Sequence, residues 1–130
     1  MSPAKAVKAP PEKLALYQRL LAAVPGIQEK SNFGSAYTAV NGNMYSMISK
    51  YGVVGIRLSA ADRDDFLRQY ESELYRADPA WPPSKEMVAV PDALLEDTAQ
   101  LSPWMARSLA YAQALRPKPT TKPPAKPAAG

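Results

Sequence analysis

The dipeptide Asn41-Gly42 constrains this chain more than any other feature. A two-residue type I′ turn needs positive φ at both central positions, and Asn-Gly supplies both at little steric cost. The flanking runs Ala36-Tyr37-Thr38-Ala39-Val40 and Met44-Tyr45-Ser46-Met47-Ile48 are therefore predicted to form a β-hairpin. A second turn, Lys50-Tyr51-Gly52, leads into 53–58, where Val54, Ile56 and Leu58 alternate with Val53, Gly55 and Arg57. That is the period of a half-buried strand. A weaker strand is expected near Gln28 to Ser31. Consecutive short connections make this an antiparallel meander.

The rest of the chain reads mostly as helices. Pro10-Pro11 and Glu12 suit a helix start, and Leu14, Tyr17, Leu20, Leu21 and Val24 form one buried stripe, so a helix is predicted over 11–23, ended by Pro25-Gly26. Ser59, with Asp62 three residues on, opens a second helix with Phe66, Leu67, Tyr70 and Leu74 inward. Arg63, Asp64, Arg68 and Glu71 are expected to face water. Residues 75–84 form an irregular proline-rich connection holding Trp81. Met87-Val88-Ala89-Val90 reads as a strand, and Asp92 as the cap of a brief helical turn through Leu94 and Leu95. Ser102-Pro103-Trp104 reads as the start of a last helix that ends at Arg116-Pro117. Trp104, Ser108, Tyr111 and Leu115 form its stripe, with Met105, Leu109 and Ala112 beside it. The fold class is α+β: a two-layer domain, an antiparallel sheet (the meander plus one or two later strands) backed by helices.

With 130 residues there is room for one domain, expected over 11–116, between a basic head at 1–10 and a Lys/Pro-rich tail at 117–130. Both ends read as disordered, since they bury almost nothing. The tail has five prolines but no PxxP core with apolar anchors, so it is not an SH3-type ligand. The formal charge of +4 sits on these ends. Lys118, Lys122 and Lys126 in the tail and Lys5 and Lys8 in the head have no acid near them, while 12–116 carries 11 basic against 12 acidic residues. A nucleic-acid-binding body would carry its excess on the folded surface. No apolar run approaches the ~20 residues of a membrane span, and no secretory signal is visible. A cytoplasmic setting is the expectation.

The chain has no Cys and no His. That excludes disulfides, thiol nucleophiles, thiolate zinc sites, imidazole bases and histidine metal ligands. An enzyme would have to work with carboxylates, Lys, Tyr and Ser, so no catalytic residue, cofactor or metal is assigned. Asp62, Asp64 and Asp65 lack EF-hand spacing and read as a solvated first turn. Gly34, Gly42, Gly52 and Gly55 match no phosphate loop. Tyr37, Tyr45 and Tyr51 read as half-buried tyrosines at sheet edges rather than base-stacking platforms. Lys85 and Glu86 are adjacent and expected to point to opposite faces. Arg57, on a half-buried strand face, calls for a carboxylate or phosphate partner.

Several short motifs now fall into order: Phe33-Gly34, Tyr37 to Val40, Asn41-Gly42-Asn43-Met44, Arg57-Leu58-Ser59-Ala60-Ala61-Asp62-Arg63, Lys85-Glu86-Met87-Val88-Ala89-Val90-Pro91, and Trp104 through Ala112. Their order and spacing resemble the N-terminal domain of the TfoX/Sxy family of bacterial proteins, across about 13–116. The chain reads Asn32-Phe33-Gly34-Ser35 where that family often has Met-Phe-Gly-Gly. The resemblance implies a fold similar to secretion chaperones and a regulatory role, with no catalytic residues. The namesake proteins promote competence-gene transcription and carry a further C-terminal domain, which a chain of this length is expected to lack. Candidate binding residues are Phe33, Gly34, Tyr37, Arg57, Lys85 and Glu86. The expectation is a non-enzymatic interaction module that docks a protein partner or a second copy, as a homodimer. The alternative is a weak nucleic-acid-binding transcription accessory that uses Lys118, Lys122 and Lys126, with a salt slope no steeper than about −4.5.

Overall fold

Positive φ at Asn41 (52°) and Gly42 (80°) closes the predicted hairpin in the computed structural model, which describes residues 9–32 and 35–115. Five strands follow the chain: β1 (Lys30–Asn32), β2 (Ser35–Val40), β3 (Asn43–Ile48), β4 (Val54–Arg57) and β5 (Met87–Val90). They lie in the order β1-β2-β3-β4-β5, antiparallel throughout. The helices are α1 (Pro11–Ala22), α2 (Ala60–Gln69), α3 (Asp92–Leu95) and α4 (Thr98–Ala114). The α+β reading holds: α4 packs on β2, β3 and β4, while α1 and α3 pack on α4.

Register explains which side chains are inside. Ile48 opposes Val54, Ser46 opposes Ile56, and Val54 and Ile56 oppose Val90 and Val88. These residues share the helix-covered face and are buried, together with Tyr17, Leu20, Leu101 and Met105. A β-bulge between Thr38 and Ala39 leaves Tyr45 as the extra residue of β3, so Tyr45 and Ser46 are both buried. This corrects the edge reading for Tyr45; Tyr37 is half-buried and Tyr51 exposed. A chain of hydroxyls crosses the core: Tyr17 Oη meets Ser46 Oγ at 2.7 Å, and Thr38 Oγ1 meets Ser46 Oγ at 2.6 Å.

The last helix begins earlier than the sequence suggested. Asp97 caps it by accepting from the Gln100 amide at 3.1 Å, and Pro103 sits inside α4 rather than at its first turn. Proline has no N–H for the Ala99 carbonyl, which accepts from the Ser102 hydroxyl at 3.5 Å instead. Met105, Ser108, Leu109 and Ala112 are buried along it, with Trp104 and Tyr111 half-buried beside them.

Other boundaries also move. Ser59 caps α2 by accepting from the Asp62 amide, but the helix stops at Gln69, so Leu74 lies beyond it. Arg63 is half-buried rather than solvated, because its guanidinium donates to the Leu58 carbonyl at 3.0 Å. Pro91 is the N-cap of α3, not Asp92, whose carboxylate pairs with Lys13 at 3.0 Å.

The connection from α2 to β5 is structured where it meets the sheet. The Ala89 amide donates to the Glu73 carbonyl, the Tyr75 amide to the Met87 carbonyl, and Leu74 bridges Val88. Residues 73–75 thus continue the sheet past β5 and lay the buried Tyr75 ring against Gly55 on the face away from the helices.

Candidate functional site

Arg57 ends β4 in register with Met87, and the Leu58 amide donates to the Glu86 carbonyl, which carries the ladder one step further. Glu86 is thereby placed beside Arg57. Ser84 Oγ accepts from the Glu86 and Met87 amides at 3.3 and 3.1 Å and fixes the entry to β5. Arg57 Nε donates to Glu86 Oε1 at 2.6 Å. Tyr111 of α4 completes the group: its hydroxyl donates to Glu86 Oε2 at 3.5 Å, and its ring centroid lies 5.9 Å from Arg57 Cζ. A second guanidinium nitrogen reaches the Met44 carbonyl at 3.4 Å.

The expected carboxylate partner of Arg57 is therefore Glu86. The two side chains keep 22% and 39% of their surface, so the pair contributes at most about 1 kcal/mol to stability. Its effect is positional: the guanidinium is held by the sheet, the β5 entry and α4 together. Lys85 is exposed and forms no ion pair among the described residues. Arg57, Lys85, Glu86, Ser84, Met44 and Met87 line an open cleft of about 370 Å³. Met44 is one of the exposed large apolar side chains, at 41%.

Other predicted residues are not gathered here. Tyr37 shares a row with Met47 and Gly55, two strands away from Arg57. Phe33 and Gly34 lie outside the described residues, as do Lys118, Lys122 and Lys126. Met44 and Ser84 line the cleft and Tyr111 touches it through Glu86, but none was singled out for it in the sequence. Tyr111 appeared as a member of a helical stripe and within the motif Trp104 through Ala112.

The acid cluster of α2 is dispersed by its partners. Asp62 accepts from Arg107 at 2.9 Å and Asp65 from Arg68 at 2.6 Å. Among the described residues no group of three His, Cys, Asp or Glu is placed to hold a metal ion, and no helix is long and apolar enough to cross a membrane. Four described cations, Lys13, Arg57, Arg68 and Arg107, each pair with a carboxylate. Burial pushes the Tyr17 and Tyr45 hydroxyls above their ordinary range and that of Tyr75 up to about 12. All three belong to packed interior rather than to the cleft.

The family model for the TfoX N-terminal domain matches residues 19–112, a span that holds the whole sheet and every residue lining the cleft. A comparison with curated proteins finds no match.

Proposed function

The chain belongs to the TfoX N-terminal domain family, and from that premise we propose that it is a non-enzymatic regulatory module acting through protein–protein contacts. The family match supports a domain of regulatory type. The contact is the docking of an acidic segment of a partner protein in the Arg57–Lys85 cleft. The observation that carries this reading is the fixed Arg57 guanidinium, oriented by Glu86 and Tyr111, beside the unpaired Lys85 and the exposed Met44.

An arginine already ordered loses little side-chain entropy on binding, and Arg and Met are enriched in protein interfaces. Lys85 supplies a second positive charge that steers a carboxylate inward. General acid–base catalysis needs a group free to exchange its proton with substrate. The cleft's one carboxylate, Glu86, is instead bonded to both Arg57 and Tyr111.

A photo-crosslinking residue placed at Met44 in the intact chain, in living cells, tests this. One discrete heterologous adduct is expected, lost in the Lys85→Glu variant and absent when the crosslinker stands at the exposed Ala110 of α4. Identical adducts from both positions, or an adduct indifferent to Lys85→Glu, would overturn the reading. An adduct of two copies would replace it with self-association.

A further inference from the structure

A second hollow, of about 160 Å³, opens on the sheet face that the helices leave uncovered, between Tyr51, Val53, Leu74 and Pro79. It is well below the ~300 Å³ at which pockets for cofactors and drug-sized ligands begin. Its rim is more telling than its volume. Tyr51 and Trp81 are 49% and 58% exposed, and one residue tethers both. The Tyr51 hydroxyl donates to Asp78 Oδ2 at 3.4 Å, and the Trp81 amide donates to the Asp78 carbonyl at 2.9 Å. Asp78 Oδ1 also accepts from the Ala80 amide at 2.9 Å, and prolines 79, 82 and 83 restrict the same loop. The Tyr51 ring is thus held at the surface by its hydroxyl, and the Trp81 backbone is fixed in the same loop.

The charges around them are unevenly committed. The Arg76 guanidinium is bound to the Trp81 carbonyl, and Lys50 lies 5.3 Å from the Tyr51 ring centroid. Glu73 lines the hollow and forms no ion pair among the described residues. An exposed tyrosine ring lining a hollow of proline-ring scale, with an exposed tryptophan in the adjoining loop, is what proline-rich helices dock against, and a free carboxylate adds a preference for lysine.

We propose that this face binds a lysine-bearing polyproline segment and that its occupant is the chain's own stretch 117–130. That stretch holds five prolines and three lysines with no acid, and a lysine of it can pair with the Glu73 carboxylate, which no described cation occupies although Arg76 and Lys50 lie nearby. Along a helix of three residues per turn, Pro124 and Pro127 share one edge and Lys126 lies on the next. It lacks the apolar anchors of an SH3-type ligand, and this hollow asks for none. The described residues end at Leu115, and the nine residues from there to Pro124 extend about 28 Å in polyproline conformation. The head is the rival occupant, since Pro10 approaches Gly52, but 1–8 contains a single proline. The inference uses residues separate from the Arg57 cleft and stands or falls apart from it.

The absence of cysteine allows a single spin label on the full chain through Ala129→Cys. With the protein ¹⁵N-labelled, the tail label is expected to remove most of the Trp81 indole N–H signal and to spare that of Trp104, which packs between Phe66 and Tyr70. Combining Pro124→Ala, Pro127→Ala and Lys126→Glu should restore the Trp81 signal. These changes lie outside the family-matched span of residues 19–112. A Trp81 signal unaffected by the label, or lost equally in the triple variant, would overturn the proposal. So would loss caused by a label at Ser2→Cys instead, which would seat the head in the hollow. Loss seen only on mixing spin-labelled with ¹⁵N-labelled molecules would overturn the assignment to the chain's own tail.

Discussion

The Tyr75 ring occupies the space that any side chain at Gly55 would need: a Cβ there would lie 2.6 Å from Tyr75 Cγ. Gly55→Ala must therefore displace a buried ring, and it is expected to lower stability by about 1–3 kcal/mol in denaturant unfolding. Combined with Tyr75→Ala, the loss should be less than the sum of the two single losses, because the clash is gone. Additive losses would mean that the two residues are not coupled.

The hydroxyl chain Tyr17–Ser46–Thr38 lies in the core. Tyr17→Phe removes one hydrogen bond but leaves Ser46 paired with Thr38, so a loss of about 1 kcal/mol is expected. Ser46→Ala removes the partner that Tyr17 and Thr38 share, leaving Thr38 beside the Tyr17 and Tyr45 hydroxyls, and should cost more, about 2 kcal/mol. Urea unfolding with an unchanged m-value would measure both, and the ranking of the two variants is the test.

Pro103 interrupts the hydrogen bonding of α4. A proline in a helix interior is about 3 kcal/mol worse than alanine, partly offset here by the Ser102 hydroxyl and by a stiffer unfolded chain. Pro103→Ala should raise stability by about 1–2 kcal/mol, seen as a thermal midpoint higher by several degrees. A lower midpoint would show that Pro103 favours the form of α4 that lies on the sheet.

Burial dominates the upward shift of Tyr75 to about 12, and the nearby Ser49 hydroxyl counters it only in part. Tyr17 and Tyr45 shift the same way for the same cause. The unfolded chain releases these protons near pH 10.0 while the folded chain keeps them, so the unfolded state binds fewer protons above that pH. Stability should be independent of these groups below about pH 9 and then fall as pH rises, by about 1.4 kcal/mol per pH unit for each such tyrosine. Tyr75→Phe should make the fall between pH 10 and 12 shallower by one proton's worth. Chemical denaturation across pH 8–11.5, with tyrosinate absorbance recorded in parallel, checks this.

What was legible in the sequence was local. Asn41-Gly42 dictates its turn by steric permission alone, and the α1 stripe is a matter of spacing. Arg57 announced a need for an anion, and Glu86 answers it. What escaped depended on distant chain. Nothing around Gly55 says that residue 75 will fill its notch, and the bulge that buries Tyr45 arises from pairing with β2. The start of α4 escaped for another reason. Asp97 with Gln100 is itself a capping signal, but Ser102-Pro103 imitates a helix start more strongly than Pro103 obstructs the helix interior.

Residues 73–75 take over from β5 as one border of the sheet, and β1 is the other. Each border is three residues long, so each offers few unpaired backbone groups to a neighbouring chain, which keeps the sheet from templating its own growth.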